Sequence, residues 1–152
     1  MSTRQMACFR VSGRECAVDV MRIAEVLRPV PVTPLPSAPR FVEGLIELRG
    51  RFLPLIDLRK RFASAEPLAD RDSGKYIVAP LHGTSVALVV DDVSGVERIP
   101  ADLIQPPPSL GAGRVAPSFV SGVVRWNDRV LMVLDLDAIL TSEETVSLEG
   151  LE

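Results

Sequence analysis

Few residues of this chain are of types that carry chemistry. The single histidine, His82, sits in Leu81-His82-Gly83-Thr84. A general base needs a nucleophile or an orienting acid within hydrogen-bond reach. No such partner stands at motif spacing around His82, and its neighbours read as a hairpin tip, so an exposed turn residue is expected. Cys8 and Cys16 form no Cys/His cluster with zinc spacing. They flank a hairpin, where a disulfide is conceivable. The opening MSTRQMACF lacks the apolar core of a secretion signal, so reduced thiols in a cytoplasmic protein are the expectation. Gly111-Ala112-Gly113 lacks the third glycine and the strand-to-helix setting of a phosphate loop. Asp57 and Asp135 are the one carboxylate pair to weigh as a catalytic acid and base. Each precedes a short apolar run at the same place in two similar stretches. A helix cap explains both at once. No catalytic residue, metal or cofactor is expected.

Those two similar stretches organise the chain. Phe41–Phe62 reads FVEGLIELRGRFLPLIDLRKRF, and Phe119–Leu140 reads FVSGVVRWNDRVLMVLDLDAIL. Phe119 lies 78 positions after Phe41, and the same offset aligns Val42/Val120, Gly44/Gly122, Arg51/Arg129, Leu53/Leu131, Asp57/Asp135 and Leu58/Leu136. The repeat extends upstream, where Val93, Val96 and Arg98 stand 70 positions after Ile23, Val26 and Arg28. A Gly/Pro-rich insert, Gln105–Pro117, accounts for the growing offset and reads as a loop.

The elements follow from the patterning. Cys8–Val11 and Cys16–Val20 alternate around Ser12-Gly13-Arg14 and predict a hairpin with one buried face. Ile23, Val26 and Leu27 have helical spacing and predict a helical turn. Pro29, Pro31, Pro34, Pro36 and Pro39 predict an extended connector, because proline gives a sheet no N–H. Phe41–Leu48 and Arg51–Asp57 predict a hairpin about Arg49-Gly50, followed by a short helix at Leu58–Phe62 capped by Asp57. Ala63–Gly74 reads as a polar linker. The second copy repeats this order, with a hairpin at Tyr76–Pro80 and Ser85–Val90. Thr141–Glu152 is acidic and reads as a helix or tail. The fold class is mainly β, with about five strands in each copy by ordinary strand length. The copies should meet along their apolar faces.

Composition narrows the function. The chain has 152 residues, 47% hydrophobic and 24% charged, which is globular. No apolar run is long enough to span a membrane. A net charge of −3 and 5% aromatic content argue against nucleic acid. Fifteen arginines stand against Lys60 and Lys75. Base composition is one source of that bias, and arginine's planar fork also suits protein interfaces. What remains is surface suited to holding other proteins.

At this point the residues carry a family likeness. Gly44-Leu45-Ile46-Glu47-Leu48-Arg49-Gly50, followed by Leu53-Pro54-Leu55-Ile56-Asp57-Leu58, resembles the signature of CheW-type coupling proteins. Cys8–Val20, Ile23–Val26, Asp91–Val96 and Ile104–Pro108 are similar to that family's other landmarks, in order. The resemblance implies two five-stranded barrels of the SH3 type, related by a pseudo-twofold. By it, residues 7–66 and 74–141 are the two subdomains, with strands possibly exchanged between them, and 142–152 is an acidic helix or tail. It implies a non-catalytic adaptor that couples methyl-accepting chemoreceptors to the regulatory domain of a CheA-type histidine kinase. It also implies a cytoplasmic location at receptor arrays on the inner membrane, without membrane insertion or nucleic acid. Residue by residue, Arg49, Val93, Val96 and Glu47 fall at receptor-binding positions, and Ile23, Glu25 and Gly44 at kinase-binding ones. For Ile23, Val93 and Val96, plain core is the other reading, since core and interface residues look alike in sequence. Glu47 departs from the family's usual Asn. It faces the same side of a strand as Arg49 and either pairs with it or marks a different receptor. A paralogue serving pili, gliding or second-messenger output is the alternative within the family. A small-ligand-binding or enzymatic β-barrel is the alternative outside it.

Overall fold

Turn chemistry sets where the strands reverse. β1 (Thr3–Val11) and β2 (Arg14–Asp19) flank Ser12-Gly13, and β3 (Glu25–Leu27) follows. β4 (Val42–Leu48) and β5 (Arg51–Asp57) flank Arg49-Gly50, before α1 (Leu58–Arg61). β6 (Lys75–Leu81) and β7 (Thr84–Val90) flank His82-Gly83, and β8 (Asp92–Pro100) follows. β9 (Val120–Trp126) and β10 (Arg129–Leu134) flank Asn127-Asp128. In all four hairpin loops both central residues have positive φ. That is the condition for the mirror-image two-residue turns whose twist matches paired antiparallel strands. Short 3-10 turns lie at Val20–Arg22, Ala101–Leu103 and Leu136–Ile139. This computed structural model describes residues 2–62, 74–107, 118–140 and 144. Most of the expected linker, most of the Gly/Pro insert with its Gly111-Ala112-Gly113, and the acidic tail apart from Glu144 lie outside the described residues.

The strands form two five-stranded sheets, in the orders β8-β1-β2-β10-β9 and β3-β6-β7-β5-β4. Replacing each strand of one sheet by its repeat counterpart gives the other order, so the duplication is architectural. Each sheet draws on both halves of the chain. The first hairpin, β1–β2, joins the later strands, and β6–β7 joins the earlier ones. A division near residues 66–74 therefore separates repeat copies, not sheets. The helical turn expected at Ile23–Leu27 is replaced by β3. Its residues pair with β6 (Glu25↔Val78, Val26↔Ile77, Leu27↔Tyr76), and that tertiary pairing overrides the three- and four-residue spacing.

Alternation along the strands produces three clusters. Ala7, Phe9 and Val11 of β1 join Ile56, Ile77, Leu88, Phe119 and Leu136 in a central core between the sheets. Met6 and Cys8 point the other way, into a core of Ile99, Val124, Leu131 and Val133. Ile46, Leu53, Leu55, Tyr76 and Val89 fill the equivalent space in the other sheet. This central core is the seam between the sheets; the copies themselves also meet within each sheet, where β1 pairs with β8, β2 with β10, β3 with β6 and β5 with β7. Cys8 and Cys16 belong to opposite faces, so a bridge between them is excluded by the pleat, and both are free thiols. Burial, then neighbouring Glu97, pushes the Cys8 thiol up to about 11, and burial, then Glu15, pushes Cys16 up to about 12. That leaves roughly a hundredfold less thiolate at Cys8, and less still at Cys16, than in an exposed thiol. Iodoacetamide at pH 8 should therefore label the native protein on the order of a hundred times more slowly than the unfolded chain. Equal rates would contradict this burial.

Each sheet closes on itself through one close approach. Thr33 and Leu45 exchange two backbone hydrogen bonds of 2.8 and 2.9 Å, as do Gln105 and Val123 at 2.8 Å each. Proline flanks both connectors, at Pro31 and Pro34 and at Pro106, and limits the pairing to one bridge. A Cβ on Gly44 would lie 2.6 Å from the Thr33 carbonyl oxygen and 2.8 Å from Val32 Cγ1, and its φ is +153°. A Cβ on Gly122 would lie 2.9 Å from the Gln105 carbonyl oxygen. Both glycines are explained by closure. Gly44→Ala adds backbone strain to this overlap and should cost about 2–3 kcal/mol, against about 1–2 for Gly122→Ala. Urea denaturation of the two variants checks the order.

The two aspartates are caps, as expected. Asp57 accepts the Arg59 backbone N–H at 3.0 Å, and Asp135 accepts that of Asp137 at 3.1 Å. Asp57 does more. Its carboxylate also binds the Arg59 guanidinium at two points, both 2.9 Å, and both side chains are 2% exposed. A buried arginine pair was not foreseen from the sequence.

Candidate functional site

The β4–β5 turn presents Arg49 with φ of +52°. The left-handed region favours Gly, Asn and Asp, and disfavours other residues by about 1 kcal/mol. The second copy has Asn127 here, also at positive φ. Asn suits this conformation better, and Arg49 holds it as Ser12 and His82 do in the other hairpin loops. Its guanidinium reaches across to β3 and holds Glu25 at two points, 2.6 and 3.0 Å. The Arg49 hydrogen bond holds the Glu25 carboxyl below its usual range, and Glu25 in turn raises Arg49. The arginine side chain remains 71% exposed. Such a pair adds little to stability; it orients a planar, bidentate donor at the surface. Glu25, not Glu47, is the carboxylate that Arg49 takes.

Apolar groups lie on one side of the pair. It rims a cavity of about 190 Å³ lined by Leu48, Leu53 and Val78, together with Arg51 and Ser85. Val26, beside Glu25, and Phe52, opposite Glu47 in the β4–β5 register, are both exposed. Phe52 is 62% exposed and escaped the sequence reading. Its outward place was visible in the alternation with Leu53 and Leu55.

The other expected positions divide. Ile23 and Val93 are half-buried and pack on the central core. Val96 is exposed on β8, opposite Ala7 of β1. Gly44, on β4, lies at the closure against Val32 and Thr33. Glu25 and Arg49 are joined by their ion pair, Ile23 and Val93 share the seam, and Val96 stands on the other sheet from them, on β8.

His82 is an exposed turn residue, as expected, and it also ties the sheets together. Its backbone N–H donates to Asp137 Oδ1 at 3.1 Å, and its ring Nε2 lies 2.7 Å from the Asp137 carbonyl oxygen. Arg22 meets the same carboxylate at 2.9 Å. Burial pushes the Asp137 carboxyl up, but the His82 N–H and Arg22 outweigh it and leave it below its usual range. This is a clamp between hairpin and seam. Among the described residues no three His, Cys, Asp or Glu side chains are grouped to hold a metal.

Comparison with known proteins places this geometry. The family model described as CheW-like domain matches residues 5–144. The Chemotaxis protein CheW of Rhizobium meliloti (strain 1021) is 36% identical over 143 residues, covering 93% of this chain and 90% of that protein. Protein FrzA of Myxococcus xanthus is 34% identical over 140 residues, covering 90% of this chain and 85% of that protein. The crystal structure of the scaffolding protein TtCheW from Thermoanaerobacter tengcongensis superposes with a TM-score of 0.82 at 28% identity, covering 94% of this chain and 97% of that one.

Proposed function

Because the chain belongs to the CheW-like domain family, we propose that it bridges methyl-accepting chemoreceptors to the regulatory domain of a CheA-type histidine kinase. It is a coupling adaptor of chemotaxis signal transduction. The observation that carries the finer reading is the Glu25–Arg49 pair. Arg49 occupies a backbone conformation that its copy fills with Asn127, contributes an exposed guanidinium, and is held in one orientation by Glu25.

In this proposal Arg49 and Glu47 contact the receptor, with exposed Val96 as an apolar contact and Val93 supporting it from the seam. Glu25 faces the kinase, Ile23 backs it from the core, and Gly44 keeps the underlying sheet closed. Glu25 and Arg49 touch, so the kinase-facing and receptor-facing residues of the β3–β4 sheet form one continuous surface. A fixed arginine at the rim of an apolar cavity suits a protein interface. Each contact is of modest area, and the array supplies avidity. Coupling is by rigid docking, with no chemistry of its own. No described helix is long and apolar enough to cross a membrane; in this reading the protein works in the cytoplasm, attached to receptor arrays at the inner membrane.

Pairwise calorimetry tests the bridge. The chain should bind a receptor cytoplasmic fragment and the kinase regulatory domain separately, each at micromolar affinity typical of transient signalling pairs. Failure to bind either partner from its own host would remove the proposal.

A further inference from the structure

A groove beside α1 carries charge that the duplicated fold does not require. A cavity of about 240 Å³ opens between Arg40, Phe41, Lys60 and Arg61, with Glu144 at its wall. The Arg61 guanidinium carbon stands 5.4 Å from the centroid of the Phe41 ring, a cation–π distance. Arg61 also donates to the Glu144 carboxylate. These two side chains are only 22% and 23% exposed, so salt screens them less than a surface pair. Lys60 binds Glu43 at 2.6 Å, and Arg40 is exposed. Asp57, though it lines the groove, is committed to Arg59. Without Glu144 the described residues of the groove set three cations, Arg40, Lys60 and Arg61, against the carboxylate of Glu43. In the second copy the positions of Arg40, Glu43, Lys60 and Arg61 are Ser118, Ser121, Ala138 and Ile139.

Glu144 belongs to a segment, Thr141–Glu152, that also carries Glu143, Glu149 and Glu152 and contains no Lys or Arg. We propose that the α1 groove is a docking site for an acidic peptide segment of a partner, and that the chain's own Glu144 occupies it in the partner's absence. A carboxylate meets a guanidinium already fixed by the Phe41 ring, which favours bidentate pairing. A tethered segment acts at millimolar effective concentration, so an acidic segment from a partner binds only when the chain's own is displaced. The inference does not depend on which receptor or kinase the protein serves.

The test uses the full chain and a fluorescein-labelled peptide of residues 141–152, read by fluorescence anisotropy at low salt. Glu144→Gln should bind the peptide at least fivefold more tightly than the wild type. Adding Arg61→Glu or Lys60→Glu to that variant should remove the binding, with circular dichroism confirming the fold; Lys60 is exposed and tolerates the change. Sodium chloride at 0.5 M should weaken the complex. The proposal is overturned if Glu144→Gln binds no more tightly than wild type at millimolar peptide. It is equally overturned if folded Lys60→Glu/Glu144→Gln and Arg61→Glu/Glu144→Gln proteins both keep the peptide.

Discussion

Arg49→Glu should lose at least tenfold in affinity for a receptor cytoplasmic fragment while remaining folded. Charge-assisted hydrogen bonds are worth about 1.5–3 kcal/mol, and about 1.4 kcal/mol is tenfold in affinity. The substitution removes the guanidinium and sets a carboxylate beside Glu25, so repulsion adds to the lost contact. The fold has little at stake, since the side chain is 71% exposed and packs into none of the three cores. Two further variants separate contact from orientation. Arg49→Asn installs the residue of the second copy, Asn127, and should be at least as stable as the wild type while still losing binding. Glu25→Arg/Arg49→Glu restores an internal ion pair with the charges exchanged. If the receptor needs the guanidinium at position 49, this double variant stays defective; if only the internal pair matters, it recovers. Calorimetry against the fragment, with thermal melts of each variant, gives the answer. A folded Arg49→Glu protein with wild-type affinity would remove Arg49 from the receptor contact.

Asp57→Ala should cost about 3–5 kcal/mol of stability, because it breaks a buried, doubly hydrogen-bonded ion pair with Arg59. The lost cap on α1 adds to this. Asp135→Ala removes only a cap, from an exposed aspartate, and should cost about 1 kcal/mol. For a domain that is stable by only about 5–15 kcal/mol, the first substitution nears complete unfolding and the second does not. Urea midpoints of the two proteins decide the matter. Equal losses would mean that the Asp57–Arg59 pair contributes nothing beyond capping.

These two aspartates also mark what the sequence could and could not disclose. Their matching places in the repeat identified both as caps, since capping is local and depends on residue type. The Arg59 partnership was hidden, because an arginine in a polar-looking LRKR helix reads as solvated until tertiary packing covers it. Hairpins were legible for the same local reason: Ser12-Gly13, Arg49-Gly50 and His82-Gly83 advertise positive φ. The exchange of β1–β2 and β6–β7 between sheets was not fixed by pattern, since the same alternation buries the same residues whichever sheet the hairpin joins. Ile23–Leu27 misled because a three-residue strand is too short to show its period. At the candidate site, the contrast of Arg49 with Asn127 pointed to the turn. Its partner Glu25, twenty-four residues earlier, required the fold to bring β3 beside the β4–β5 turn.

Coupling itself is tested most directly by sedimenting receptor-bearing membranes with the host's kinase, with and without this protein, and measuring the kinase retained and its autophosphorylation. A bridging adaptor predicts that kinase retention and receptor control of its activity rise with added protein to saturation, and that Arg49→Glu fails to support either. Kinase retained and controlled to the same degree in the protein's absence would contradict the account.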